Sequence, residues 1–183
     1  MLYEILNLIL TTLAGLFGCA LLLRAYMQRL RVDPHHALVQ LVMQLTNRLV
    51  LPLRRVIPGW ARIDWASVVA AWLVALVMWL ILFLLHPMFS LAYFVAVLWH
   101  AVFSVLEWAL YLILLMTFLY AIVGWVNPHS PHASILAQLT RPFLQPLRRI
   151  VPLVGRLDLS PLVLVVLVQI AFIVLQHLQR ALI

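Results

Sequence analysis

The sequence predicts an all-α membrane protein with four transmembrane helices. These form two parallel two-helix repeats, each with an amphipathic interfacial or re-entrant helix in its cytoplasmic loop. Three observations predict this. At 183 residues, 67% hydrophobic and 9% charged, with a mean hydropathy of +1.13, the chain has too little polar surface to cover a water-soluble globule. Its apolar runs reach the roughly 20 residues that a helix needs to cross a hydrocarbon core of about 30 Å. Its motifs recur in one constant register.

Residues 2–23 form the first apolar run, ended by Arg24, and residues 66–85 form the second, closed by His86-Pro87. Residues 88–126 stay apolar for about twice the length of one span, interrupted by His100, Ser104 and Glu107, so more than one element is expected there. Residues 160–177 make the last span. Ser160 is the expected N-cap and Pro161 the first-turn residue, where a missing N–H is tolerated.

Comparing the chain with itself resolves the middle. Pro52-Leu53-Arg54-Arg55 recurs as Pro146-Leu147-Arg148-Arg149, a shift of 94 residues. The same shift pairs Gln44-Leu45-Thr46 with Gln138-Leu139-Thr140, Pro58 with Pro152, Arg62 with Arg156, Asp64 with Asp158 and Tyr26 with Tyr120. It places the third span at about 96–117, the fourth at 160–179 and a short connector at 88–95, with Tyr93 and Trp99 at the membrane boundary. The repeats are therefore 1–87 and 88–183. With an even number of spans in each, they run parallel about an axis along the membrane normal.

The formal charge of +7 comes from arginine alone, and its distribution favours a membrane surface over nucleic acid. Eleven arginines lie between spans one and two or between spans three and four; only Arg180 lies beyond the last. By the positive-inside rule those two loops are cytoplasmic and both termini periplasmic. The single cysteine, Cys19, excludes an intrachain disulfide and reads as a small apolar residue of the first span.

The segment before each Pro-Leu-Arg-Arg is amphipathic at helical spacing. Gln40, Gln44, Asn47 and Arg48 form a polar stripe amid Leu38, Val39, Leu41, Val42, Leu45 and Leu49. In the second copy Ser134, Gln138, Arg141 and Gln145 oppose Ile135, Leu136, Leu139, Phe143 and Leu144. Pro52 and Pro146, followed by Pro58 and Pro152, are expected to break the helix and turn the chain.

Adjacent arginines diverge by about 100° on a helix, so Arg54 and Arg55, or Arg148 and Arg149, are expected to have different partners. One takes lipid phosphate and the other Asp64 or Asp158, because a planar guanidinium binds either group bidentately. Arg62 and Arg156 join the four as expected lipid- or partner-binding residues. The plain alternative is that these arginines only anchor the span ends, the role expected of Arg24, Arg29 and Arg31. Asp64 and Asp158 then serve only as helix caps.

Glu107 is the carboxylate with a claim to an intramembrane polar site: a third span from about residue 98 buries it, and one from residue 108 leaves it at the edge. Asn7, Thr11, Thr12 and Gln169 read as interhelical hydrogen-bond partners. His129 and His132 are separated by Pro131 and joined by no carboxylate or cysteine, so no metal is expected. No catalytic triad, metalloprotease or phosphate-loop motif is present, and neither an enzyme nor a cofactor is expected.

The stretches Thr46 through Asp64 and Thr140 through Ser160-Pro161 resemble the YggT family of small bacterial inner-membrane proteins. Its signature is Thr-x-Pro, then Pro-apolar-Arg-Arg-apolar-apolar-Pro, then apolar-Asp. Thr140-Arg141-Pro142, Pro146 to Pro152 and Leu157-Asp158 match it in full. The first copy has Arg48 where proline is expected, which implies a softer kink. The resemblance implies a bacterial inner-membrane location and a part in tolerance of osmotic shock. Two readings follow: a non-enzymatic scaffold or assembly factor that binds anionic phospholipid, another integral membrane protein or a second copy of itself, and a small ion channel or transporter subunit acting in osmotic or potassium balance.

Overall fold

The computed structural model describes residues 1–57, 59, 63–85, 91–126, 131–150 and 158–182. Among them are six α-helices: α1 (Leu2–Arg29), α2 (Ala37–Val56), α3 (Trp65–Leu84), α4 (Leu91–Val126), α5 (Pro131–Leu147) and α6 (Ser160–Leu182). Tyr3–Arg29, Trp65–Leu84, Phe94–Gly124 and Ser160–Leu182 are long and apolar enough to cross a membrane. The all-α, four-span fold class is as expected. Shifting α1 by 94 residues gives 96–123, inside α4, and shifting α3 gives 159–178, starting one residue before α6.

The chain packs as two compact units, Met1–Ala109 with Leu178–Ile183, and Leu110–His177. In the first, α1, α2 and α3 pack on one another. The face that α3 buries is made largely of small residues, Ala66, Ser67, Ala70, Ala71 and Ala75. Small side chains let helix backbones approach where dispersion must replace the hydrophobic effect. Leu21 of α1 and Val50 of α2 close that cluster. Ala75, Met78 and Leu82 continue it toward Ala101 and Trp108 of α4. Nearby, Trp79 stacks on His100 and donates Nε1–H to Ser104 Oγ at 2.8 Å, while Gln179 bonds His100 Nδ1 at 2.8 Å. In the second unit Leu144, Leu164 and Val168 pack with Ile113, Leu114, Phe143 and Phe172.

Four expectations about local structure are corrected. First, α4 is one helix of 36 residues, about 54 Å long, so residues 91–95 are not a separate connector. No proline and no glycine before Gly124 interrupts it. Second, Pro52 does not end α2, which runs on to Val56, and Pro142 lies inside α5, whereas α5 closes at Leu147, one residue after Pro146, as expected. The carbonyls that the Pro52 and Pro142 rings release belong to Arg48 and Gln138, both exposed residues. Third, the hydroxyls of Thr11 and Thr12 bond within their own helix, to Asn7 O and Leu8 O at 2.7 Å, rather than across helices. Fourth, Leu159 O accepts the first bonds of α6 and Asp158 Oδ1 accepts the Ser160 N–H at 3.0 Å, so Ser160 is the first helical residue rather than the N-cap, and Asp158 satisfies its free N–H.

Candidate functional site

The site is built around the aspartate that precedes each second span. Asp64, 1% exposed, is held in a fork by Arg54: Nε donates to Oδ1 at 3.2 Å and Nη2 to Oδ2 at 2.8 Å. Oδ2 also accepts the Ser67 hydroxyl at 2.7 Å. Arg54 Nη2 donates in addition to Gln28 Oε1 at 2.6 Å. Arg54 lies in the last turn of α2 on the flank of its buried face (Val39, Val42, Thr46, Val50), which brings the guanidinium over the start of α3.

A second arginine converges on the same carboxylate. Arg24, 2% exposed, holds Nε 3.5 Å from Asp64 Oδ2, and its Nη1 donates to Thr46 Oγ1 at 2.8 Å and Asn47 Oδ1 at 2.9 Å. Thr46 passes the interaction on, donating to Val42 O at 2.6 Å. The expected anchoring role of Arg24 is therefore corrected: it links α1, α2 and α3 from inside the protein. Asn47, half-buried, belongs to this network rather than to an aqueous stripe.

The second copy keeps the pair and drops the rest. Arg148 Nε donates to Asp158 Oδ2 at 2.8 Å and Nη2 to the Tyr120 hydroxyl at 2.6 Å, with the guanidinium 5.8 Å from the Tyr120 ring centre. Phe118 stands where Arg24 stands in the first copy, and the pair is more open, with side chains 44% and 27% exposed. Arg148 and Arg149 sit just past α5 in a turn closed by Arg149 N–H to Pro146 O and Ile150 N–H to Leu147 O, whereas Arg54 and Arg55 are helical.

Burial opposes ionisation of both aspartates, but their hydrogen bonds and arginines outweigh it and hold both carboxyls below the ordinary range. For Arg148, burial disfavours the cation, while the bonds to Tyr120 and Asp158 prevail and raise its pKa.

Arg55 and Arg149 are exposed, and neither forms an ion pair among the described residues. Along α2, Gln40, Gln44, Arg48 and Arg55 share one exposed polar stripe. Beside it runs an exposed apolar ridge, Leu41, Leu45 and Leu49. The matching residues of the second copy, Ile135 and Leu139, are buried, with Phe143 half-buried. Its predicted polar stripe, Ser134, Gln138, Arg141 and Gln145, is exposed throughout.

Glu107 is half-buried, two residues before the midpoint of the span Phe94–Gly124. Cys19 donates Sγ–H to Trp108 O at 3.5 Å. Arg62, Arg156, Pro58, Pro152, His129 and the side chains of His132 and Tyr93 lie outside the described residues.

Residues 3–98 and 99–179 each match the model of the CCB3/YggT family. The chain is 34% identical over 167 residues to the uncharacterized protein YggT of Escherichia coli K12, covering 90% of this chain and 86% of the relative. It is 32% identical to an uncharacterized protein of the proC 3' region of Vibrio alginolyticus, over 90% of each chain, and 33% identical to the uncharacterized protein PA0392 of Pseudomonas aeruginosa, over 84% and 79%. No solved structure matches.

Proposed function

The chain belongs to the CCB3/YggT family, and from that premise we propose that it is a non-enzymatic scaffold or assembly protein of the bacterial inner membrane, acting in osmotic-shock tolerance. Its exposed arginines bind anionic phospholipid and through it a partner membrane complex. The observation that carries the reading is the division of labour in each Arg-Arg pair. Arg54 and Arg148 are each paired with the aspartate before the next span, which leaves Arg55 and Arg149 as exposed cations beside a structurally fixed neighbour. A guanidinium so presented suits a phosphate diester.

The three faces of α2 support an interfacial position. Its polar stripe and its leucine ridge both run the length of the helix, the pattern of a helix lying along the boundary between water and hydrocarbon. The arginine distribution supports a cytoplasmic position for that boundary and periplasmic termini. The test is the double replacement Arg55→Gln and Arg149→Gln. Native mass spectrometry of the purified protein should show loss of retained phosphatidylglycerol relative to phosphatidylethanolamine, and affinity capture should lose partner proteins. Unchanged lipid and partner profiles refute the reading.

Glu107 supports a second reading, a small ion pathway, because a half-buried carboxylate near the middle of a span is costly unless used. Liposomes containing the protein should then carry a cation flux under an applied voltage that Glu107→Gln abolishes. Absence of flux removes this reading.

A further inference from the structure

The end of α1 builds a cavity in the first repeat whose donors have no counterparts at the matching positions of the second. Its volume is about 330 Å³, and Arg24, Gln28 and Arg31 line it together with Met27, Val32, Pro34, Val39, Val42 and Met43. Arg24 and Gln28 lie one turn apart on α1, and Arg31 follows just past its C-cap, Leu30. Among the described residues no carboxylate lines the space. The shift of 94 residues replaces the three donors by Phe118, Ile122 and Trp125, which carry no cation.

Charge and hydrogen bonding both leave room for an anion there. Arg24 and Arg54 share one carboxylate, that of Asp64, so the cluster holds a net positive charge. Gln28 commits its amide oxygen to Arg54, which leaves its NH₂ as a donor. The nearest carboxylate along the chain, Asp33, accepts the His35 N–H and does not line the space.

The backbone adds an independent sign. The helix ends with Val32 N–H bonded to Met27 O and Arg31 N–H to Gln28 O, the double closure that places the residue after the cap in the left-handed region. That residue is Arg31, with φ 52°, where glycine is the residue of least strain. An arginine kept in this conformation, with its neighbours Met27 and Val32 buried along the cavity, points to a task for its side chain.

We propose that this cavity is a binding site for a phosphate-bearing anion, taken from a phospholipid headgroup or from solution, gripped by Arg31, Gln28 and Arg24. It is separate from the exposed Arg55 and Arg149, and stands whether or not those bind lipid. It lies at the end of a candidate span, where the headgroup region of a bilayer is expected.

The experiment titrates purified protein in neutral detergent with short-chain phosphatidylglycerol, short-chain phosphatidylcholine and inorganic phosphate, following the thermal midpoint. Arg31→Gly removes the guanidinium and relieves the strained φ, so the protein stays folded while the apparent affinity falls about tenfold or more, the loss expected of one charge-assisted contact. Arg29→Gln removes the same charge from the same helix without touching the cavity, and its affinity stays within about twofold of the parent. Stabilisation by phosphatidylglycerol alone assigns the site to lipid, and stabilisation by inorganic phosphate as well assigns it to a soluble anion; either result, if sensitive to Arg31, supports the site. Equal responses of the parent and Arg31→Gly, equal losses in Arg29→Gln and Arg31→Gly, or no response to either anion overturns it.

Discussion

Asp64 and Asp158 occupy equivalent sequence positions, yet their surroundings predict different sensitivities. Removing one partner of a buried pair leaves an uncompensated charge, and Asp64→Asn leaves two, because Arg24 and Arg54 both lose their counter-ion. Its expected cost is ~3–5 kcal/mol. Asp158→Asn disturbs a pair that water reaches on both sides and is expected to cost ~1 kcal/mol or less. Thermal unfolding in detergent, read by circular dichroism, should rank the two in that order; equal losses would mean that Arg24 adds nothing. The depressed carboxyl pKa values fix a pH effect as well. A group whose folded pKa lies below its unfolded value contributes stability above the unfolded value and loses it as pH falls through the folded one. The protein should therefore hold its midpoint from neutrality to about pH 4 and lose it progressively below, while the double variant Asp64→Asn, Asp158→Asn loses less across that acid window. The Arg–Asp partnership is suggested in the sequence by its repetition at one spacing. The role of Arg24 is not, since nothing in a lone arginine after an apolar run distinguishes an anchor at the membrane boundary from a buried counter-ion; only the folding of Thr46 and Asp64 onto it does.

At the scale of elements, periodicity reads the helices well and their ends badly. The apolar runs give α1, α3 and α6 because spans need length and little else. Proline misleads at Pro52, which α2 passes by four residues, but not at Pro146, one residue before the end of α5; what the surroundings offer the released carbonyl, rather than the ring alone, sets its cost. Close packing is equally hard to read. Gly18 looks like any glycine in an apolar helix, yet a Cβ there would lie 2.0 Å from Trp108 Cε3, so the indole of α4 occupies the space that the glycine leaves on α1. Gly18→Ala must push the ring or the helix aside, at an expected cost of ~1–3 kcal/mol. Gly124→Ala in α4 meets nothing within 4 Å and should stabilise by up to ~1 kcal/mol through helix propensity. Measured midpoints moving in opposite directions would support this packing, and a neutral Gly18→Ala would contradict it.

For the whole molecule, the three faces of α2 make its seat in the membrane measurable. In a background of Cys19→Ala, single cysteines at Gln40, Gln44 and Arg48 sample the polar stripe, those at Leu41 and Leu45 the apolar ridge, and one at Val42 the face packed inside the protein. A helix lying along the cytoplasmic boundary should react with a membrane-impermeant maleimide at all three stripe positions in inverted vesicles, only weakly on the ridge, and not at Val42. A re-entrant helix instead dips its middle below the headgroups, so reactivity would fall from Gln40 near the start of α2 to Arg48 near its middle. A cysteine at Gln176, exposed near the end of α6, reports the opposite side and should react in right-side-out spheroplasts. The same stripe carries Arg48 and Arg55, so its orientation decides what those cations meet. If the stripe reacts from the cytoplasmic side, Arg55 faces the leaflet whose anionic lipids attract it by about 1 kcal/mol per charge. Reaction from the periplasmic side would remove that attraction, and with it the proposed role of the exposed arginines.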